Sequence, residues 1–219
     1  IRDRELAALC DVYEPYLTRK TQDVHHIFAE TLGGRIPPLG ESFENAKLYR
    51  DFRKLLEDTS IDAVCIATPD HWHAVQTIMA CQAGKDIYVE KPLTITIHEG
   101  RKMVQAAEST KRIAAVGLNR RGSVVYQHLA KKVQAGAIGR VSVALAGRVS
   151  NMAPHGIGKM KPSEPPKDFD WNMWLGPRAK RPFQFNIAPY KFRWWSDYSS
   201  QMGNWGVHYM DCLLYTSPS

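Results

Sequence analysis

The stretch from Ala63 to Pro92 constrains the fold of this chain more than any other part. It opens with a short apolar run that reaches Ala67 and predicts a buried parallel strand. Apolar residues at helical spacing follow from His73 to Ala83, and Gly84 stands where a helix end favours a residue that tolerates positive φ. Ile87 to Val89 predicts a second strand. Such a strand, crossover helix and strand form a right-handed parallel unit in almost all proteins.

A polar tripeptide follows each of the two predicted strands. Thr68-Pro69-Asp70 comes after the first strand, and Glu90-Lys91-Pro92 comes after the second. Ligands of parallel α/β sheets bind at the carboxyl ends of the strands, so we expect the two tripeptides side by side. The sequence therefore predicts an α/β fold with a ligand site at this edge of its sheet.

Two segments of this unit resemble one enzyme family. Ala-Thr-Pro-Asp-His-Trp-His from Ala67 and Val-Glu-Lys-Pro-Leu from Val89 resemble the glucose-fructose oxidoreductase, inositol dehydrogenase and MocA family, and the resemblance runs from Leu6 to about Leu214. It implies a Rossmann-type parallel sheet in residues 1–120, without its first strand and glycine loop. Residues 121–219 would begin an α/β substrate domain with a mixed, largely antiparallel sheet. We expect a fragment truncated at both ends, which binds NAD poorly for want of the pyrophosphate-binding amides.

The resemblance also implies a function. The full-length protein would be an NAD(P)-dependent oxidoreductase, with NAD preferred to NADP, that oxidises a secondary hydroxyl of a sugar, cyclitol or sugar derivative. It would form a homo-oligomer. Lys91 would stabilise the charge that develops on the substrate oxygen, the peptide bond before Pro92 would be cis, and His208 would take the hydroxyl proton. Two alternatives stay open: an NAD-dependent glycosidase of the same fold, and a non-catalytic sugar or cofactor sensor.

The second catalytic pattern lies between Ser200 and Asp211. Asn204 and His208 are four residues apart, so they share a face if this segment is helical. Most members of the family carry aspartate where this chain has Asn204. Asparagine can orient an imidazole but cannot supply the negative charge that stabilises an imidazolium. Either His208 works with a lower pKa, or Asp197 or Asp211 supplies the charge, or the chemistry is altered.

An acidic residue ends the first predicted strand, which runs from Leu6 to Val12. In dinucleotide-binding folds such a residue accepts hydrogen bonds from the adenosine ribose and repels a 2′-phosphate, so Asp11 favours NAD over NADP. The alternative is that Asp11 only starts the turn before Pro15.

Further site residues come from the ends of the strands and from the second half of the chain. Arg120 and Arg121 follow a predicted strand at 113–118, where guanidinium groups suit phosphate, carboxylate or sugar oxygens. Aromatic faces also stack on sugars, although most of them fill cores. The expected cofactor contacts are Asp11, Thr68, Pro69, His73, Glu90, Lys91, Asn119 and Arg120. The expected substrate contacts are Arg121, Trp174, Arg193 and His208. Trp72 is either a lid over the site or a packing residue.

The rest of the chain predicts packing elements. Helices are expected at 22–32, 49–58, 94–111 and 122–136, the third of them opened by a capping box of Thr96 and Glu99. Apolar residues alternate with others from 141 to 149, which predicts the first strand of the second sheet. Residues 150–193 predict a long, proline-rich loop region, which is usually functional or mobile in a compact domain.

Composition narrows the classes of partner. The formal net charge is +7, but without a run of lysine or arginine we interpret it as a solvated basic surface and predict no nucleic-acid partner. No apolar run approaches the ~20 residues that cross a membrane, so we expect no membrane partner. The histidine pairs at 25–26 and 71–73 lack a third ligand at useful spacing, and the four cysteines form no C-x-x-C pair, so we expect no metal. We expect a cytoplasmic protein, with export left open because the true start is missing.

Overall fold

The computed structural model describes residues 5–31, 45–147 and 156–217. Within those ranges short parallel strands alternate with helices in the first half, and helices and loops make up the second. The elements in chain order are β1 (Ala8–Cys10), α1 (Glu14–Thr18), α2 (His26–Thr31), β2 (Lys47–Tyr49), α3 (Phe52–Glu57), β3 (Ala63–Ile66), α4 (Asp70–Gln82), β4 (Asp86–Glu90), α5 (Ile97–Thr110), β5 (Ala114–Gly117), α6 (Val124–Gln134), α7 (Trp171–Leu175) and α8 (Val207–Thr216). A π-helix, Met202–Gly206, leads directly into α8.

All the strand pairs formed by these strands are parallel. β1 pairs with β2, and β3, β4 and β5 form a second sheet in that order, with Ala63 beside Asp86 and Ile87 beside Ala114. The crossover helices α4 and α5 join the strands of this second sheet. The α/β, Rossmann-type fold with parallel strands is therefore confirmed.

The central unit follows the prediction closely. α4 begins at Asp70 rather than at His73, because Pro69 is a non-helical N-cap and Asp70 supplies negative charge to the first turn. Gly84 has a φ of 74°, as expected after the helix. Thr96 and Glu99 form the expected capping box at the start of α5. The peptide bond between Lys91 and Pro92 is cis.

The boundaries of other elements differ from the prediction. Tyr49 ends a strand instead of starting a helix, and α3 begins at Phe52 after Asp51, whose side chain accepts a hydrogen bond from the backbone of Arg53. This N-cap is local chemistry that the apolar spacing did not reveal. In place of one helix over 22–32 there are a 3₁₀ helix, Thr21–Asp23, and α2, while residue 32 lies outside the described residues.

The expected strand at 141–149 is not found. Residues 141–147 have no regular secondary structure, and 148 and 149 lie outside the described residues. Val143 and Leu145 are 71% and 92% exposed. A strand needs a partner for its backbone N–H and C=O groups, and residues 141–147 do not have one in the described part of the chain. The antiparallel sheet expected in the substrate domain, residues 121–219, is therefore not established.

Apolar side chains form two cores. One lies between the β3-β4-β5 sheet and helices α4 and α5, and it contains Ile66, Val89 and Met103. The other face of this sheet is open at Cys65 and Tyr88, so the predicted buried strand β3 is covered on one side only. The second core is aromatic, and it joins α1 and α2 to the segment 169–198.

Candidate functional site

The carboxyl ends of β3 and β4 meet the start of α4 and the π-helix. We call this group of residues the strand-end site. Its members are Thr68, Asp70, His73, Lys91, Asn204 and His208.

Lys91 lies at the centre of the strand-end site. Its Nζ donates a hydrogen bond to the backbone carbonyl of Asn204 over 2.8 Å. Burial lowers the pKa of the Lys91 ammonium, the charges of Asp70 and Glu90 act against that effect, and the charge of Arg193 adds to it. Lys91 is therefore a partly desolvated cation beside the carboxyl end of β4, where it can donate to a ligand oxygen.

His73 fixes the backbone on both sides of this position. The ring is 1% exposed, with Nδ1 2.7 Å from the carbonyl oxygen of Pro92 and Nε2 2.8 Å from that of Thr68. The imidazole thus bridges the chain that leaves β3 and the chain that leaves β4. His73 was expected to contact the cofactor, but its two nitrogens are occupied by the protein, so its role in the structure is to hold the two strand ends.

Asp70 is a site residue that the sequence reasoning missed. Its carboxyl group is buried at the start of α4 and accepts a hydrogen bond from the Ser199 hydroxyl. Burial raises the pKa of Asp70, whereas the Ser199 hydrogen bond and the charges of His73 and Lys91 act to lower it. An aspartate in the first turn of a helix is common because of the helix dipole. Its position in the sequence therefore did not indicate that Asp70 is buried.

His208 lies one residue into α8. Burial lowers the pKa of its imidazole, and the positive charges of Lys91 and Arg120 lower it further, while Glu90 and Asp211 act in the opposite direction. This direction corresponds to the first of the three possibilities raised by Asn204, a histidine that works with a lower pKa. A neutral imidazole at neutral pH can accept a proton.

The π-helix changes the expected relation between Asn204 and His208. Asn204 lies in the π-helical segment, which ends at Gly206, and His208 lies in α8, which begins at Val207. Asn204 contributes its backbone carbonyl to Lys91. Short π-helical segments within helices are frequent at functional sites, so this one independently supports the strand-end site as a candidate functional site.

Two arginines follow β5 in the loop that also holds the exposed Asn119. The guanidinium of Arg120 lies 4.7 Å from the ring centre of Tyr209, and the guanidinium of Arg121 pairs with Asp211 through an Nη2 to Oδ1 distance of 2.6 Å. Both arginines therefore contact α8. The carboxylate of Asp211 thus pairs with Arg121 while it also acts to raise the pKa of His208.

The remaining predicted residues lie in different surroundings. Arg193 stacks on Tyr190, 3.9 Å from the ring centre, and burial lowers the pKa of its guanidinium. Trp174 is 5% exposed in the aromatic core and stacks on Trp171 at 4.8 Å. Its ring face is therefore covered, and the prediction that it contacts a sugar is corrected.

Trp72 is a packing residue. Its Nε1 donates to the carbonyls of Met173 and Trp174, and its ring meets Phe52 edge to face. A Cβ atom on Gly176 would come within 2.1 Å of the Trp72 ring, so glycine is required at that point. The alternative of a mobile lid does not fit these contacts.

Glu90 approaches the neighbouring strand closely. Its Oε2 accepts a hydrogen bond from the backbone N–H of Lys91, and its carboxyl group occupies the place where a Cβ atom of residue 117 would lie. Gly117 therefore makes room for a carboxylate at the end of β4. That carboxylate favours the charged form of Lys91.

Asp11 lies at the end of β1, in the other sheet. Burial raises the pKa of its carboxyl group to about 6, although the backbone N–H groups of Tyr13 and Val12 and the charge of Arg19 oppose the shift. Its Oδ1 accepts a hydrogen bond from the backbone of Tyr13 over 2.9 Å. This contact begins a turn, as the alternative interpretation of Asp11 requires.

The residues present suit part of a dinucleotide. Asp11 offers a carboxylate for ribose hydroxyls, and the parallel strands β3, β4 and β5 offer their carboxyl ends. The partly buried ammonium of Lys91 lies beside the carboxyl end of β4 and can donate to an oxygen atom. The residues thus fit the ribose and nicotinamide parts of such a cofactor.

Two other kinds of site were sought in residues 5–31, 45–147 and 156–217. No group of three or more histidine, cysteine, aspartate or glutamate side chains there could hold a metal ion. None of the helices in the same ranges has the length and apolar character to cross a membrane.

The chain is similar in sequence to several known proteins. The chain is 35% identical over 111 residues to a scyllo-inositol 2-dehydrogenase (NAD(+)) of Bacillus subtilis, covering 51% of this chain and 32% of that protein. It is 38% identical over 99 residues to a levoglucosan dehydrogenase of Pseudarthrobacter phenanthrenivorans, covering 45% of this chain and 25% of the relative. It is 32% identical over 108 residues to a glycosyl hydrolase family 109 protein of a Shewanella species, covering 49% of this chain and 21% of the relative. The chain thus spans at most about a third of these relatives.

Two family models match nearly the whole chain. The model described as "Oxidoreductase family, NAD-binding Rossmann fold" matches residues 12–118. The model described as "Oxidoreductase family, C-terminal alpha/beta domain" matches residues 123–217. The chain belongs to the glucose-fructose oxidoreductase, inositol dehydrogenase and MocA family.

Proposed function

We propose that the protein is an NAD(P)-dependent oxidoreductase that oxidises a secondary hydroxyl of a sugar or cyclitol. The observation that carries this proposal is the 2.8 Å hydrogen bond from Lys91 Nζ to the carbonyl of Asn204, four positions before His208. The ammonium of Lys91 is close enough to His208 to lower the pKa of the imidazole. An oxygen placed between them would find a cation on one side and a base on the other.

The two residues divide the work on the substrate hydroxyl. The neutral imidazole of His208 takes the hydroxyl proton, and its lowered pKa keeps it neutral at physiological pH. Lys91 donates a hydrogen bond to the same oxygen and stabilises the negative charge that develops there. When bound, the nicotinamide supplies the hydride acceptor.

The other polar residues at this edge would position cofactor and substrate. Asp11 would bind the adenosine ribose and favour NAD, while Glu90 would support the charge of Lys91. Thr68, Pro69, Asn119 and Arg120 would border the nicotinamide side. Arg121 and Arg193 would face the substrate, and the exposed 44% of the Arg121 side chain leaves donors free beside its ion pair. His73 would keep Lys91 in place through the carbonyl of Pro92.

The substrate class rests on the relatives. Two of them are named as dehydrogenases of scyllo-inositol and of levoglucosan, which carry several secondary hydroxyls. A polyol of similar size is therefore the substrate to test first.

The test is NAD and NADP reduction by the protein with a panel of cyclitols, sugars and anhydrosugars. We expect Lys91→Ala and His208→Ala to lower kcat at least ~100-fold each, the usual size of such effects. Lys102→Ala on the surface of α5 is the matched control and should leave the rate unchanged. Equal rates in all four proteins would refute the two catalytic roles.

A glycosidase is the second candidate, and the similarity to a glycosyl hydrolase family 109 protein favours it. In such an enzyme the oxidation would be reversed after the leaving sugar has departed. Release of a reducing sugar without net NADH would identify it. Tight cofactor binding without any product would instead indicate a sensor, and Lys91→Ala would then have no turnover to lose.

A further inference from the structure

The first turn of α4 contributes two buried polar side chains to the strand-end site. Asp70 is 8% exposed and His73 is 1% exposed, and they are three residues apart on one side of the helix. The hydroxyl of Ser199 donates to Asp70. Ser199 lies just before the π-helix whose Asn204 carbonyl holds Lys91. Asp70 is thus fixed from the same segment that fixes Lys91.

The hydrogen bonds of His73 bear on the charge of this turn. Both ring nitrogens lie within 2.8 Å of a carbonyl oxygen. A carbonyl oxygen only accepts, so a ring that satisfies both contacts carries a proton on each nitrogen and a positive charge. A buried cation is costly unless an opposite charge is nearby. Asp70, the buried carboxyl group in the same turn, can supply that charge.

Lys91 places a second positive charge beside this carboxyl group. Among the described residues, its Nζ donates a hydrogen bond to the uncharged carbonyl of Asn204, whose side chain is a neutral amide. The charged groups that act on Lys91 are Asp70 and Glu90 on one side and Arg193 on the other. Asp70 has the larger effect of the two carboxyl groups.

We propose that Asp70 is a positioning residue whose buried carboxylate balances the charges of Lys91 and His73. It thereby supplies to the strand-end site the negative charge that the amide of Asn204 does not. The inference rests on the proposed function only for its consequence in catalysis. The charge balance itself does not depend on the proposed function.

This role has a pH dependence with a defined sign. Burial raises the pKa of Asp70, so its negative charge is lost at a higher pH than that of an ordinary aspartate as the solution is acidified. The groups that face it are the Ser199 hydroxyl, His73 and Lys91. Where the carboxylate is ionised, it favours the protonated form of Lys91. When the carboxylate is neutralised, Lys91 gives up its proton more readily.

The experiment measures the ionisation of Lys91 directly. The folded protein is labelled with acetic anhydride in competition with a free amine from pH 6 to pH 11, and mass spectrometry gives the labelling of Lys91 at each pH. Asp70→Asn should shift the labelling curve to lower pH, and a shift of one unit is a roughly tenfold rise in labelling on its acidic side. Asp62→Asn, an exposed carboxyl group before β3, is the control and should leave the curve unmoved.

A second variant protects the test against misfolding. Ser199→Ala removes the hydrogen bond that lowers the pKa of Asp70, so it should shift the Lys91 curve in the same direction by a smaller amount. Circular dichroism checks that each variant is folded. If Asp70→Asn does not fold, Ser199→Ala decides the outcome. An unmoved Lys91 curve in the folded variant or variants would overturn the proposal.

The readout separates this proposal from the proposed function, since labelling requires no turnover. A shifted Lys91 labelling curve in a protein that oxidises no polyol would support the role of Asp70 and refute the proposed dehydrogenase function. An unmoved curve in an active dehydrogenase would refute the role of Asp70 and support the dehydrogenase function.

Discussion

The Nζ of Lys91 and the backbone carbonyl of Asn204 are joined by a 2.8 Å hydrogen bond across 113 positions of the chain. Lys91 ends the central β-α-β unit, and Asn204 lies in the π-helix near the other end of the described chain. Because the acceptor is the main chain, this contact does not depend on the side chain at position 204. The asparagine can therefore be exchanged to test its charge alone.

Asn204→Asp should raise the pKa of His208. The new carboxylate would stabilise the imidazolium, against the present effect of Lys91 and Arg120. Asn204→Ala is the control, which removes the amide without adding charge. The ring proton signals of His208, followed by NMR from pH 4 to pH 9, report its pKa. An equal pKa in the two variants would contradict the prediction.

The pH profile of the proposed dehydrogenase should be bell-shaped. His208 must be neutral, and its pKa is lowered, so the acid limb should lie below its ordinary value of about 6.5. Lys91 must be charged, and burial lowers its pKa, so the alkaline limb should lie below about 10.4.

Arg120 can be used to test the acid limb of the pH profile. Arg120→Gln removes a cation that lowers the pKa of His208, and the limb should move to higher pH at saturating cofactor. Arg101→Gln, on the exposed surface of α5, should leave the limb in place. If both variants follow the parent profile, Arg120 does not act on His208.

Stability should respond to the capping box of α5. Thr96 accepts a hydrogen bond from the backbone of Glu99, so Thr96→Ala should lower the free energy of unfolding by about 1 kcal/mol. Ser123 stands at the N-cap of α6 without a side-chain cap hydrogen bond, and Ser123→Ala should change it by less than about 0.5 kcal/mol. Urea unfolding measures the free energy of unfolding of both variants and of the parent protein. Equal losses would mean that the capping hydrogen bond of Thr96 adds nothing.

The buried carboxyl group of Asp11 should make the stability of the protein depend on pH. Burial raises its folded pKa to about 6, so its ionisation lowers the free energy of unfolding as the pH rises from 4 through 6. Asp11→Asn cannot ionise, and above pH 7 it should be more stable than the parent by roughly 1 to 3 kcal/mol. At pH 4 the difference should vanish. Asp62→Asn serves as the exposed control, and a difference independent of pH would contradict the assignment to ionisation.

The central unit could be predicted because its signals are local. The spacing within α4, the glycine after it and the Thr96 capping box are properties of neighbouring residues, and each appears where the sequence placed it. The expected strand at 141–149 shows the limit of this reasoning. Alternation describes a side-chain pattern, but a strand also needs another strand to pair with, and residues 141–147 have no such partner in the described part of the chain.

The candidate site was predictable only in part. Lys91 and His208 lie in recognisable motifs, and Lys91 donates a hydrogen bond to the carbonyl of Asn204, four positions before His208. Asp70 was overlooked and Trp174 was misjudged for the same reason, which is that burial depends on segments more than 100 positions away. Ser199 covers Asp70, and the hydroxyl contact joins residues 129 apart. The ring of His71, 103 positions away, lies against Trp174.

Four consecutive residues of α4 each contact a segment outside the helix. Asp70 contacts Ser199, His71 and Trp72 contact the carbonyl of Trp174, and His73 contacts the carbonyls of Thr68 and Pro92. Each residue turns an α-helix by about 100°, so the loss or gain of a single residue here would point all four side chains away from their partners together. The number of residues in this turn is therefore under a stricter constraint than the identity of any one of them. A mutational scan that includes single-codon deletions should find this turn far less tolerant than the solvent-facing turns of α5.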